Sequence, residues 1–201
     1  MNLKFSQYLE VFLKRLESQP LTLKDILEET SEKGFSLIII LLVLPFLVPM
    51  PPGLSSVLGF GIFVLSVQMI LGKDFPWLPH RLAQFRFPRR IVLPLFKIVK
   101  FLTKWLEKIV RPRWLNIAGS RGIRRLSGLF FAWLTILLML PIPFTNPIPT
   151  LGILLLAIAN LEEDGFFICV SYGIAILISL FFGFLFYMIL QASETLPQLI
   201  F

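Results

Sequence analysis

Apolar positions fill this chain in long blocks. Three stretches carry no Asp, Glu, Lys or Arg: Gly34–Gly72 (39 residues), Leu126–Leu161 (36) and Gly165–Ser193 (29). A helix needs about 20 apolar residues to cross the hydrocarbon core of a bilayer, so each block is long enough for a crossing. The first two are not plain spans. Phe35–Val48 offers about 21 Å of helix and then meets Pro49-Met50-Pro51-Pro52-Gly53, which no continuous helix absorbs; Leu54–Leu71 follows. Leu126–Leu140 meets Pro141-Ile142-Pro143-Phe144-Thr145-Asn146-Pro147-Ile148-Pro149, and Thr150–Leu161 follows. Phe166–Leu190 is an unbroken 25-residue candidate span. Each broken block predicts two short helices joined at a proline corner, either a tight pair of spans or a re-entrant hairpin. Backbone left unpaired at membrane depth survives only where protein buries it or a wet cavity hydrates it.

Two other segments are amphipathic. In the N-terminal arm, Phe5, Leu9, Phe12, Leu13 and Leu16 recur at helical spacing, and Gln19-Pro20 ends the run. Thr22 is a good N-cap for a second short helix, with Asp25 three residues on. Farther along, Ile91–Val110 places Lys97, Lys100, Lys104 and Lys108 on one stripe, with Ile98, Phe101, Leu102, Trp105, Leu106 and Ile109 on the other side. That is the pattern of a helix lying in the interface with its lysines toward lipid headgroups. A pore-lining span and a helix packed on the protein are the alternatives.

The two proline corners superimpose at one offset of 98. Pro45, Phe46, Pro49 and Pro51 become Pro143, Phe144, Pro147 and Pro149 in a shared P-F-x-x-P-x-P pattern, which predicts an internal duplication. The expected fold is an all-α integral membrane protein of two proline-broken helical hairpins with amphipathic cytosolic or interfacial helices. The expected order is a cytosolic arm (1–33), a first membrane repeat (34–72), a basic linker (73–125), and a second repeat with the final long span (126–201). Polar backbone buried at two corners predicts an oligomer, most simply a dimer.

Charge orients this scheme. The chain is 56% hydrophobic and 15% charged with mean hydropathy +0.82, where soluble domains carry roughly a quarter charged residues. Of 19 Lys and Arg, 14 lie between Lys73 and Arg125, against Asp74 and Glu107 there, and none follows Arg125. Basic clustering can serve nucleic acid, but between membrane-competent blocks it serves anionic lipid and cytosolic retention. The linker and N-terminus are therefore expected on the cytoplasmic side of a multi-pass membrane protein. Met1–Lys33 is interspersed with charge and lacks the apolar run of a cleavable signal.

Candidate chemistry is sparse. Cys169 alone makes no disulfide or multi-cysteine metal site, and His80 has no ligand partner at useful spacing, so no metal or cofactor is expected. A Ser-His-Asp set, a phosphate loop and an aspartate-rich motif are all missing, so no enzyme is expected. Broken helices in duplicated membrane units commonly hold solutes. The candidate solute or ion pathway comprises Pro49, Pro51, Gly53, Gln68, Pro143, Thr145, Asn146, Pro147, Pro149, Glu163 and Asp164. Gln68, Thr145 and Asn146 could equally make interhelical bonds or cap the breaks. Glu162, Glu163 and Asp164 either line a mouth or form a solvated turn capped by Gly165. The candidate headgroup residues are Lys97, Lys100, Lys104, Lys108, Arg111 and Arg113. Arg111, Arg113, Arg121, Arg124 and Arg125 could bind phosphate of lipid or of a lipid-linked sugar, snorkelling to ordinary headgroups being the commoner use.

The order of Thr22-Leu23-Lys24-Asp25-Ile26-Leu27, Leu44-Pro45 to Pro49-Met50-Pro51-Pro52-Gly53, Gln68 with Gly72, and Pro76-Trp77-Leu78-Pro79 resembles the ExoD-type exopolysaccharide-synthesis proteins. Arg111-Pro112-Arg113-Trp114, Pro141-Ile142-Pro143-Phe144-Thr145-Asn146 and Glu163-Asp164-Gly165 continue the likeness, which runs from about Thr22 to Leu190. The resemblance implies a small bacterial inner-membrane protein linked to exopolysaccharide production, and supplies no catalytic residues. The first repeat departs from the second in lacking the acidic triplet, with Gln68 and Lys73-Asp74 nearest in place. With the repeated breaks, this predicts a small transporter or channel supporting exopolysaccharide synthesis or export; the alternative, which the basic linker and amphipathic arm favour, is a non-transporting scaffold that organises polysaccharide-synthesis enzymes.

Overall fold

Proline spacing and the charge-free blocks decide where the helices lie. The computed structural model describes residues 34–47, 52–77, 113–114, 118–140, 142 and 145–200. Among them the chain is all-helical: α1 (Gly34–Val43), a 3-10 turn (Leu44–Leu47), α2 (Pro52–Ile70), α3 (Arg121–Met139), α4 (Pro147–Leu161) and α5 (Gly165–Ile200). The N-terminal arm, the Ile91–Val110 stripe with Lys97, Lys100, Lys104 and Lys108, and Pro49, Pro51, Arg111 and Pro143 lie outside the described residues.

α1 is apolar on every face and buried on every face, from Phe35 to Val43. It tightens into the 3-10 turn at Pro45, which has no N–H to continue the α-helical ladder. α3 begins five residues before its charge-free block, because the Ser120 hydroxyl accepts from the Ile123 N–H at 3.2 Å and caps it. α3 and the part of α5 up to Gln191 are long and apolar enough to cross a membrane.

Helices α1 to α4 close into a ring in chain order, each packing on the next and α4 returning to α1, while α5 lies outside on α4 and α3. The tightest seam joins α2 and α3. Gly59 faces Met139, Gly128 faces Ser66, Met69 and Ile70, and Gly72 faces Arg125, so the two helices run antiparallel. A Cβ on Gly128 would sit 2.9 Å from both the Ser66 carbonyl oxygen and Met69 Cβ, so only glycine lets the backbones approach this closely. α5 runs parallel to α3: the Tyr172 hydroxyl meets Ser127 and, farther along both helices, the Trp133 indole N–H donates to Ser179 Oγ at 2.8 Å.

The ring has two unlike ends. The α1–α2 and α3–α4 corners lie at one. At the other are the starts of α1 and α3, the ends of α2 and α4, and the α4–α5 turn; the Arg124 guanidinium over the Phe35 ring at 5.5 Å ties the starts together. Every charged side chain among the described residues up to Gln191 lies at this second, basic end. The outer face of α3 and α5 is apolar and exposed, with Leu129, Ile136, Ile176, Leu177, Leu180 and Phe184 on it.

The seam predicts opposite signs for two glycines. Gly128→Ala should destabilise the bundle by about 1–3 kcal/mol, the cost of overpacking a filled contact. Gly122→Ala, with nothing within 4 Å of its Cβ position, should stabilise α3 by up to about 1 kcal/mol through helix propensity. Thermal melts of both variants in one detergent, followed by circular dichroism, check the signs.

Candidate functional site at the basic end

Segments far apart in sequence meet at the basic end, and each is held by its own backbone. α2 stops in a left-handed turn in which Gly72 has φ 73°; the Gly72 N–H donates to the Met69 carbonyl and the Lys73 N–H to the Gln68 carbonyl, both at 3.0 Å. These two bonds make a Schellman motif. Buried Gln68 then grips the loop that follows. Its Nε2 donates to the Trp77 carbonyl at 2.6 Å, and its Oε1 accepts from the Trp77 N–H at 2.7 Å. One side-chain amide thus satisfies both polar groups of Trp77's backbone and leaves the indole exposed.

Arg124 fastens the same loop to α3. Its Nη2 donates to the carbonyls of Lys73 at 2.6 Å and Asp74 at 3.0 Å, and its Nη1 lies 3.6 Å from the Asp74 carboxylate. A cation here also suits the partial negative charge at the end of α2.

α4 ends as α2 does. Glu163 takes the left-handed position at φ 56°, its N–H donates to Asn160 O at 3.3 Å, and the Asp164 N–H donates to Ala159 O at 3.1 Å. A non-glycine residue there is uncommon. Asp164 is fully buried and caps α5: its Oδ1 accepts from the Phe167 N–H at 3.1 Å. The cap is therefore Asp164 and not Gly165, whose N–H donates to the Arg113 carbonyl at 2.8 Å. A Cβ on Gly165 would lie 3.0 Å from the Trp114 carbonyl oxygen, so glycine lets residues 113–114 lie across the turn. Trp114 meets the Phe166 ring edge-on at 5.8 Å, and the Arg113 guanidinium lies over the same ring at 5.8 Å.

Just inside this end, a polar cluster that the sequence reading missed joins three helices. Asn160 Nδ2 donates to Leu156 O at 2.8 Å, which turns Oδ1 toward Ser127, whose hydroxyl donates to it at 3.0 Å. The Tyr172 hydroxyl lies 2.8 Å from Ser127 Oγ and donates to Ile123 O at 3.2 Å, and its ring stacks on Phe130 at 4.4 Å. The available signal was polar residues within charge-free blocks, close to their charged ends.

The expected pathway residues divide between the two ends. Gln68, Glu163 and Asp164 are at the basic end with Arg113. Thr145, Asn146, Pro147 and Pro149 are at the second corner, roughly 22 Å away along the 15 residues of α4. Gly53 is in the first turn of α2. At the second corner the first four residues of α4 leave no N–H unbonded. Pro147 and Pro149 have none, the Ile148 N–H donates to Thr145 O at 3.1 Å, and the Thr150 N–H to Asn146 O at 3.2 Å. Thr145 and Thr150 hydroxyls donate to the carbonyls of Ile142 and Asn146. The Asn146 amide makes no capping bond. Among the described residues no group of three His, Cys, Asp or Glu could hold a metal.

Among the described residues, these observations define an all-helical framework with two helices able to cross a membrane and one charged end assembled from short Trp, Arg and acidic motifs. The chain belongs to the ExoD family: the family model described as "Exopolysaccharide synthesis, ExoD" matches residues 5–184. It is 30% identical to Protein ExoD of Rhizobium meliloti over 197 residues, covering 96% of this chain and 82% of that one. It is also 30% identical over 164 residues to an uncharacterised protein of Synechocystis sp., covering 81% of this chain and 77% of that one. No solved structure matches the chain. Family membership links the protein to exopolysaccharide synthesis.

Two variants test how the end is held. Gln68→Leu keeps the volume and removes both bonds to Trp77; it should cost about 1–3 kcal/mol and speed hydrogen exchange in residues 71–77 before the bundle melts. Tyr172→Phe keeps the stack and loses the hydroxyl, so a smaller loss of about 0.5–1.5 kcal/mol is expected in the same melt.

Proposed function

We propose that this protein is a multi-pass component of the bacterial inner membrane that supports exopolysaccharide synthesis by presenting its basic end to polysaccharide-synthesis enzymes on the cytoplasmic side. The excess of Lys and Arg in the linker that leads to this end supports the orientation. The observation that carries the reading is the convergence of Gln68–Trp77, Arg113-Trp114, Arg124 and Glu163–Gly165 on one surface. Each is pinned through its backbone, its amide or, for Arg124, its guanidinium, and Trp77 and Trp114 are left exposed. Rigid, exposed aromatic and cationic side chains suit contact with a partner.

The same reading makes the ring a parallel repeat. Exchanging α1–α2 with α3–α4 maps each packed pair of the ring onto another packed pair. The second helix of each unit ends in the same Schellman motif, at Gly72 and at Glu163. The corner offset of 98 and the motif offset of 91 differ by seven residues, close to two helical turns, so the longer α2 keeps the facing of α4. Both corners then point away from the cytoplasm. A hydrocarbon core of about 30 Å that starts at Arg125 extends roughly to Gln191 on α5, while the end of α3 reaches only the level of about Phe186. The second corner thus lies within the far leaflet. The N–H groups of the first four residues of α4 are already satisfied there.

One observation favours the second reading, a small transporter or channel: the Asn146 amide at the start of α4 makes no capping bond. Exopolysaccharide output of cells lacking the native protein separates the two. The Trp77→Ala, Trp114→Ala double variant should cut output several-fold at unchanged protein level and lose co-purification of the synthesis enzymes, while Asn146→Leu retains both. Lost output with Asn146→Leu alone, together with solute flux into proteoliposomes that this change abolishes, would replace the scaffold with the transporter.

A further inference from the structure

We propose that Arg121 and Arg125 form a binding site for the phosphate of an anionic phospholipid in the leaflet at the basic end. The inference rests on the membrane orientation given above. The first five residues of α3 contain three guanidiniums, and Asp74 answers only Arg124. Arg121 and Arg125 are exposed and have no ion pair among the described residues. They are one helical turn apart, where like charges repel unless an anion lies between them.

The surroundings leave that place open and fix one of its walls. Nothing comes within 4 Å of a Cβ built on Gly122, next to Arg121. The Arg125 guanidinium lies against Gly72, with Nη2 3.1 Å and Nε 3.2 Å from the point where a Cβ would be, so the missing side chain at 72 seats it. Arg125 is therefore held in position rather than free to sweep solvent. Trp77 at 62% exposure and Trp114 at 56% lie at the same end. Arg121 and Arg125 immediately precede the charge-free block that begins at Leu126, which puts these guanidiniums at phosphate height. A guanidinium fork meets phosphate oxygens with two parallel bonds, a geometry that lysine does not offer.

The test uses the full chain in nanodiscs of equal phosphatidylglycerol and phosphatidylcholine, with retained lipid counted by native mass spectrometry. Wild type should retain phosphatidylglycerol in preference to phosphatidylcholine. The Arg121→Gln, Arg125→Gln double variant should lose that preference several-fold, and the double lysine variant should fall between. Alkaline extraction of the same proteins from cell membranes reads insertion separately, so a failure of the membrane reading is visible on its own. Equal retention of both lipids by inserted wild type, or undiminished preference in an inserted and folded glutamine variant, would overturn the site. Displacement of the retained lipid by a polyprenyl diphosphate at equimolar amounts would overturn its assignment to phospholipid in favour of a lipid-linked sugar carrier.

Discussion

A helix that ends among apolar side chains has to satisfy its own terminal N–H and C=O groups, because neither lipid nor a hydrocarbon core supplies partners. That constraint explains more of this molecule than any single contact. At the start of α4, two of the four groups that would need acceptors are prolines, and the other two bond to Thr145 and Asn146. At the far ends of α2 and α4, Schellman turns fold the last donors back onto the helix. Inside the helices, the hydroxyls of Ser66, Thr135, Ser171 and Ser179 donate to carbonyls one turn earlier. The prolines are therefore more than breakers. They end helices without leaving donors behind.

With backbone demands met locally, helix association can rely on close packing. The Gly128 contact brings α2 and α3 together at backbone distance, and the antiparallel order it imposes runs round the whole ring. An even number of antiparallel steps sends both hairpins the same way. Both corners come to one end, and the charged residues described next to the helices come to the other. The polarity of the molecule thus follows from ring closure, with no need for a device that sorts charge. Arg124 shows the consequence: it can reach the loop after α2 and the Phe35 ring together only because the start of α1, the end of α2 and the start of α3 share a level.

Much of the helical framework could be read along the chain because its causes are local. Proline runs and charge gaps marked the second corner and the long last helix, and the motif positions Gln68, Gly72, Arg113, Trp114, Glu163 and Asp164 were picked out. What those residues do depended on partners that spacing does not reveal. Gln68 stood out as a polar residue in an apolar block, yet its partner is the backbone of Trp77 beyond a left-handed turn. Gly165 attracted the role of cap because glycine commonly follows a helix, whereas Glu163 takes the left-handed position and Asp164 caps the next helix. The start of α3 lay hidden in the basic linker, since Ser120 is one of many small polar residues until its hydroxyl is seen on Ile123. Ser127, Asn160 and Tyr172 come from three helices, and only packing makes them one cluster.

The two helical units, α1–α2 and α3–α4, also show how one termination geometry can carry unlike chemistry. At the left-handed position, glycine in one unit answers to glutamate in the other, and the residues that follow are Lys73 and Asp164. In the first unit a loop leaves the turn and has to be held down, which Gln68 and Arg124 do from two sides. In the second, α5 begins at once, and a buried aspartate is the simplest acceptor for its first free donors. The acidic character of one turn and the basic character of the other follow from what each connects to. Arg113 and Trp114 then close across the second turn where Gly165 leaves room. The charged end is thus assembled from two unlike solutions to the same termination problem, and its two turns differ in charge for that reason.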